Sequence, residues 1–215
     1  MDYNFLCGSS NMDDEQRLIA EPISFRNRGV SRKIYNDAFP KEDRMPFWLM
    51  PTMAKGRATE MHVYRDGDAY CGMDYVASLD GTTFVMFLAV DGRMRSRGYG
   101  DMILDRIKSD HPDDLIIVSF EPPVEGEDGY EVRLRRKRFY LRNGFRETGY
   151  VGVLGGKSQE IMVFNGEFDP HSFLEFFRKY SNGTMRPEIR RLRIGDRSSQ
   201  IPCRSGSLPH PLRTR

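Results

Sequence analysis

The stretch Arg95-Ser96-Arg97-Gly98-Tyr99-Gly100 decides the fold through the elements that flank it. The apolar run Phe84–Val90 before it has the length and the residue types of a buried strand. After it, apolar residues recur at helical spacing until His111-Pro112. Glycines at such a strand-to-helix turn let backbone amides point at an anion, and the helix dipole favours its charge. The stretch therefore predicts a phosphate-binding loop with two arginines as further donors.

Two well-known phosphate loops do not fit this stretch. The dinucleotide pattern Gly-x-Gly-x-x-Gly needs glycine where the chain has Ile103, and the Gly-Lys-Ser/Thr of the P-loop is missing. The remaining pattern, Arg-x-x-Gly-x-Gly after a strand, resembles the acetyl-CoA loop of the GNAT acyltransferases. About forty residues downstream, Tyr140-Leu-Arg-Asn-Gly144-Phe145 is similar to the family's Tyr-x-x-x-Gly-Phe. The ordered pair of motifs makes the resemblance specific, and it covers roughly residues 20–165.

The resemblance implies an α/β fold in which a mixed, mostly antiparallel sheet of six to seven strands has helices on both faces and a splayed central parallel pair. The residues favour the same order of elements. Asp66-Gly67 and Asp80-Gly81 are hairpin-turn signals, and Leu115–Phe120 has the pattern of a buried strand that returns after a helix. The predicted strands are 23–25, 60–65, 68–79, 82–90, 115–120, 148–154 and 159–164.

Four segments are predicted along the chain: a polar lead-in at 1–20, a GNAT domain at 21–165, an amphipathic helix at 166–182 and a disordered basic tail at 183–215. The helix carries aromatic residues at helical spacing, which indicates core packing. The tail is rich in arginine, serine and proline without periodicity. Residues 186–215 hold eight arginines against two acidic residues, whereas the whole chain has a net charge of only +2. The body is therefore acidic and the tail basic.

The resemblance also assigns the residues that bind acetyl-CoA. The loop and the first helical turn hold the phosphates, while the preceding strand pairs its backbone with the pantetheine arm. An amide of that strand polarises the thioester carbonyl. The coenzyme-binding residues implied are Leu88, Ala89, Val90, Arg95, Ser96, Arg97, Gly98, Tyr99, Gly100 and Asp101.

The later helix departs from the family pattern. Many relatives carry an asparagine early in this helix, and Tyr130–Arg138 has none. It presents four arginines and a lysine instead. These cations contact coenzyme phosphates or only solubilise the helix, and the sequence leaves that choice open.

The catalytic residues implied by the resemblance are Tyr140 and Glu121. The Tyr140 hydroxyl would protonate the departing thiolate, unless the ring only packs at the helix end. Glu121, at the end of the strand 115–120, would take the proton of the amine, unless it is a solvated carboxylate before Pro122. Glu60 is the alternative base. The segment Pro46–Pro51 is either a buried connector or a wall of the acceptor pocket.

The activity implied is that of an N-acetyltransferase, which moves acetyl from acetyl-CoA to a primary amine by direct attack in a ternary complex. The acidic loop 125–128 favours a cationic acceptor, either a small molecule or a peptide. Two alternatives remain at this stage. One is a non-catalytic acyl-CoA-binding module, and the other is a protein-interaction module that uses the basic tail.

Several classes of protein are not expected. Cys7, Cys71 and Cys203 lie far apart and form neither a disulfide framework nor a metal spacing, so no metal site is expected. The N-terminus lacks a signal-peptide pattern, and no apolar run could span a bilayer, which predicts a cytoplasmic protein. The tail has no interleaved aromatic residues, so nucleic-acid binding is not expected. A homodimer is left open.

Overall fold

A computed structural model describes residues 18–53, 58–154 and 156–192. They form one eight-stranded sheet in the order β1-β2-β3-β4-β5-β7-β6-β8. The strands are β1 Ile19–Pro22, β2 Thr59–Asp66, β3 Ala69–Leu79, β4 Thr82–Val90, β5 Leu115–Phe120, β6 Arg146–Leu154, β7 Lys157–Phe164 and β8 Glu188–Arg191. The α-helices are α1 Arg28–Ala38, α2 Leu49–Met53, α3 Tyr99–Asp110, α4 Tyr130–Arg142 and α5 Pro170–Tyr180.

The parallel pair of β4 and β5 lies at the centre of an otherwise antiparallel sheet. Only residues Thr82–Val85 of β4 pair with Leu115–Val118 of β5, although β4 continues to Val90 and β5 to Phe120. Their C-terminal halves therefore diverge, and the β5-facing backbone groups of the last five residues of β4 have no partner among the described strands. This confirms the predicted fold class with its splayed central pair, although the sheet has eight strands where six to seven were expected.

A β-bulge lies in β4 at the point where the two strands separate. On the partner strand β3, Val76 lies opposite Val85 and Tyr75 lies opposite Phe87, so Met86 is an extra residue in the ladder. Met86 and Phe87 consequently both pack on the α1 side of the sheet, and alternation resumes after them. The bulge thus leaves an unpaired backbone segment beside the opening of the sheet.

Helices cover both faces of the sheet, as the sequence predicts. On one face, α3 and α4 pack with the side chains of Ile103, Leu104 and Tyr140 against the parallel pair. On the other face, α1 and α2 contribute Ile34, Tyr35 and Met50, and α5 contributes three phenylalanines. Because α5 packs on the sheet, the segment 166–182 belongs to the same domain. None of the helices within the described part of the chain is long and apolar enough to cross a membrane.

Both edges of the sheet differ from the prediction. The first strand is Ile19–Pro22, not 23–25, and β8 forms within the segment 183–192, where a disordered tail was expected. β1 pairs with β2, and β8 pairs with β6. An edge strand forms by main-chain pairing on one side and needs no hydrophobic alternation, so its sequence carries no periodic signal. The other residues of the predicted lead-in and tail, 1–17 and 193–215, lie outside the described residues.

Candidate active site

A cleft of about 190 Å³ opens between the diverging ends of β4 and β5. It brings together five of the predicted site residues, which are Leu88, Ala89, Val90, Arg95 and Tyr140. The other lining residues are Ala38, Phe39, Val85, Met86, Ser119, Phe120 and Arg136. A larger groove of about 780 Å³ beside α5 contains none of the predicted site residues. The cleft is the candidate site because each of the two sequence motifs contributes one lining residue, Arg95 and Tyr140.

The glycine loop meets the N-terminus of α3 with backbone groups free to bind an anion. The first intrahelical hydrogen bond runs from the Met102 amide to the Gly98 carbonyl at 3.1 Å, so the amides at the start of α3 have no intrahelical acceptor. Ser96 and Gly98 adopt left-handed conformations with φ of 62° and 85°. Such turns direct successive amides into one concave surface, which with the helix dipole favours a phosphate group.

The three predicted coenzyme residues at the start of α3 each contribute to the packing or hydrogen bonding of the fold. The buried Tyr99 donates a hydrogen bond of 2.6 Å to Asp66 on β2. A Cβ on Gly100 would lie 3.2 Å from the Phe139 ring, so glycine permits α3 to approach α4. Asp101 accepts hydrogen bonds from Arg142 and Asn143 at the end of α4. Coenzyme binding by these residues stays a prediction and would involve their backbone amides.

The motif around Tyr140 is a helix C-cap that orients the tyrosine. Gly144 has a φ of 83°, its amide donates to the Leu141 carbonyl, and the Phe145 amide donates to the Tyr140 carbonyl, both at 3.1 Å. These two bonds form a Schellman motif, and the rings of Tyr140 and Phe145 make its hydrophobic contact at 5.5 Å. The Tyr140 ring also stacks on Phe120 at 5.4 Å. Backbone geometry and packing therefore explain why this motif needs glycine and phenylalanine.

The Tyr140 hydroxyl is a titratable group on a side chain that lines the cleft. The side chain is buried, and the hydroxyl makes no hydrogen bond to any other residue that the structure describes. Burial raises the pKa of Tyr140 to about 12, and the nearby Arg136 cation opposes this rise. The hydroxyl is thus a protonated donor that remains available to a ligand.

Glu121 lies at the rim of the cleft and is not among its lining residues. Its carboxylate oxygens are 3.5 Å from the Lys157 ammonium and 3.4 Å from the Arg133 guanidinium. Lys157 also pairs with Asp43 in the short 3-10 helix after α1. Glu60, the alternative base, lies on β2 in a separate groove. The structure therefore does not bring either carboxylate into contact with Tyr140, and the base remains a prediction.

The segment Pro46–Pro51 is neither a simple connector nor a wall of this cleft. Met50 is fully buried, but Trp48 is 67% exposed. Trp48 lines the groove that contains Glu60, on the β1–β2 side of the sheet.

Several cations of α4 are held in ion pairs. Arg133 pairs with Glu121 and Glu127, Lys137 with Glu147 and Glu160, and Arg142 with Asp101. Arg136, in contrast, lines the cleft and has no ion-pair or hydrogen-bond partner among the described residues. The sequence reasoning did not single it out. Helical spacing could have done so, because Arg136 lies four residues before Tyr140 and hence on the same helix face.

Comparisons with known proteins find similarity of structure without similarity of sequence. No protein-family model matches the chain, and no curated protein matches it in sequence. A protein described as a GNAT-family acetyltransferase from Bacteroides thetaiotaomicron aligns over 75% of this chain and 94% of its own, with 22% identity and a TM-score of 0.60. The ribosomal-protein-S18-alanine N-acetyltransferase from Escherichia coli aligns over 71% and 96%, with 11% identity and a TM-score of 0.54. An aminoglycoside 6′-N-acetyltransferase, solved in complex with coenzyme A, aligns over 68% and 96%, with 14% identity and a TM-score of 0.55.

Proposed function

Since the chain has the GNAT fold, we propose that it is an N-acetyltransferase that moves acetyl from acetyl-CoA to a primary amine. One observation carries this proposal. Arg95, the first residue of the loop after β4, and the capped Tyr140 of α4 lie far apart in the chain, yet both line one cleft where the central strands diverge. A fold alone does not specify an activity, but this site has the parts that the reaction needs.

The coenzyme would bind along the loop and the open edge of β4. Its pyrophosphate fits the amides of residues 96–100 and the guanidinium groups of Arg95 and Arg97, because helix N-termini and arginines both favour phosphate. The pantetheine arm would lie beside Leu88, Ala89 and Val90. Those residues have backbone groups on the β5 side without a strand partner, and a ligand can pair with them as an added strand.

The acetyl transfer would take place where Met86 interrupts the ladder. The amine nitrogen attacks the thioester carbonyl carbon, and a backbone amide of β4 stabilises the oxyanion. The carbon–sulfur bond then breaks and its electron pair goes to sulfur, near the Tyr140 hydroxyl. The proton of the amine passes to Glu121 or to water.

The acceptor would enter past the acidic loop 125–128, which follows β5. Carboxylates at an entrance raise the local concentration of a cationic amine. The named acceptors of the two neighbours, a ribosomal-protein alanine and an aminoglycoside, belong to different chemical classes. The acceptor class of this chain is therefore a question for experiment.

An acetyl-CoA-dependent thiol-release assay over a panel of polyamines, aminoglycosides and peptides tests the proposal. The panel should include peptides with an N-terminal alanine and peptides with an internal lysine. We expect thiol release that depends on one class of amine, with the acetylated product identified by mass spectrometry. A melting temperature that rises with acetyl-CoA, without transfer to any amine, would support the non-catalytic binding module instead.

A further inference from the structure

Arg136 and Tyr140 form one functional surface on α4. They are four residues apart, so they lie one above the other on the same helix face. Both side chains line the cleft between β4 and β5. The two residues leave the helix one turn apart, and the positive charge of Arg136 opposes the rise in the pKa of Tyr140.

The absence of a protein partner distinguishes Arg136 from the paired cations of its helix. Arg133, Lys137 and Arg142 each have a carboxylate within 4 Å. Within the described residues, Arg135 and Arg138 are also unpaired, but they do not line the cleft. Guanidinium groups are strong donors to anions, so the exposed Arg136 on the cleft wall is available to an anion that enters the cleft.

The Tyr140 hydroxyl alone is a poor proton source for the departing sulfur. Its pKa is raised to about 12 by burial, whereas the thiol of a free cysteine has a pKa of about 8.5. A thiolate would therefore accept a hydrogen bond from the hydroxyl without removing its proton. Negative charge remains on sulfur and requires a positive group nearby.

We propose that coenzyme A leaves as a thiolate, an inference that rests on the proposed function. Tyr140 donates a hydrogen bond to the thiolate, and Arg136 neutralises its charge. The new carbon–nitrogen bond forms, the carbon–sulfur bond breaks, and its electron pair stays on sulfur. The proton of the amine goes to Glu121 or to water. The thiolate gains its proton from water as it leaves, so Tyr140 keeps its own proton throughout.

The thiol pKa of bound coenzyme A tests this assignment without any turnover. We would titrate the ultraviolet absorbance of the thiolate in the complexes of wild type, Arg136→Met, Arg136→Lys and the matched control Arg138→Met. In wild type we expect the pKa of the bound thiol to be lowered by about one unit. This is the low end of the shift that an adjacent opposite charge causes, because Arg136 is exposed to solvent. The lysine and Arg138 variants should keep the lowered pKa, and Arg136→Met should lose it. Arg95 also lines the cleft, but it is present in every variant.

Kinetics with two donors separate this role from phosphate binding. Arg136→Met should lower kcat about tenfold with acetyl-CoA and with S-acetylpantetheine, which lacks the phosphates. A change confined to the KM for acetyl-CoA would assign Arg136 to a phosphate and overturn the proposal. An equal thiol pKa in the coenzyme A complexes of wild type and Arg136→Met would also overturn the proposal. A lowered thiol pKa in a protein that acetylates no amine would contradict the proposed function and leave this assignment standing. Failure to bind coenzyme A would overturn both.

Discussion

Replacing Tyr140 with phenylalanine removes one hydroxyl and keeps nearly all of the packing. The ring stacks on Phe120 and contacts Phe145, and phenylalanine preserves both contacts. The hydroxyl has no hydrogen-bond partner within the described part of the protein, so its loss leaves no buried group unsatisfied. We therefore expect the free energy of unfolding to change by less than about 0.5 kcal/mol.

The size of the kinetic effect follows from the pKa of the hydroxyl. Proton transfer from a phenol whose pKa is raised to about 12 to a thiolate is uphill, because a thiol has a lower pKa, about 8.5 for a free cysteine. Hydrogen-bond donation without transfer is the cheaper contribution, and a hydrogen bond to a charged group contributes about 1.5–3 kcal/mol. Tyr140→Phe should therefore lower kcat by about 10- to 150-fold, with the affinity for acetyl-CoA unchanged.

Thiol release under saturating substrates gives kcat, and urea unfolding gives the stability of the same preparation. Tyr64→Phe is the contrasting control, because its buried hydroxyl donates a hydrogen bond of 2.5 Å to Asp74. That variant should lose about 1–3 kcal/mol of stability and keep its kcat. An unchanged kcat in Tyr140→Phe would refute the role of the hydroxyl. A loss above about 10³-fold would show that full proton transfer takes place.

Three further predictions concern the loop, the edge of the sheet and the buried charges. Gly98→Val should reduce acetyl-CoA affinity at least about tenfold by calorimetry, whereas Gly126→Val, with a similar φ of 87°, should bear the same backbone strain without that loss. A chain ending at Leu192 should fold normally, whereas a chain ending at Thr184 lacks β8. The shorter chain should melt about 2–4 °C lower for each kcal/mol of unfolding free energy that it loses. Equal melting temperatures of the two chains would contradict the structural role of β8. Lys137→Met should cost about 3–5 kcal/mol near neutral pH in urea unfolding. The loss of stability should shrink at acidic pH. Burial raises the pKa of Glu160, the carboxylate partner of Lys137, above 4.5, so Glu160 takes up a proton in the folded protein at a higher pH than in the unfolded chain. A loss that grows at low pH would refute the pairing.

The parts of the site that the sequence predicted are those set by local geometry. The loop at 95–100 and the cap at 140–145 both depend on glycines that must adopt left-handed conformations, and Gly98 and Gly144 do so at φ values of 85° and 83°. Such a requirement involves only neighbouring residues, so it is visible in the chain. The same holds for the strand-loop-helix order around Phe84–Val90.

The parts that the sequence missed depend on residues distant in the chain. The edge strands β1 and β8 form by main-chain pairing and leave no pattern in their own residues. The bulge at Met86 appears only when β3 is aligned beside β4. The ion pairs of Glu121 with Arg133 and Lys157 join three separate elements, so a carboxylate predicted as a free base lies between two cations.

The sequence by itself determined the order of the central elements, the conformation of the loop 95–100 and the cap that follows Tyr140, because hydrophobic periodicity and glycine conformation are local properties of the chain. Only the tertiary structure decided that β4 and β5 diverge after Val85 and that Arg95, Arg136 and Tyr140 line one cleft. Among the described residues, Arg136 has no ion-pair partner there. Hydrogen-bond pairing between strands and the neutralisation of charges depend on which distant residues come into contact. Those contacts are chosen by the packing of the whole domain.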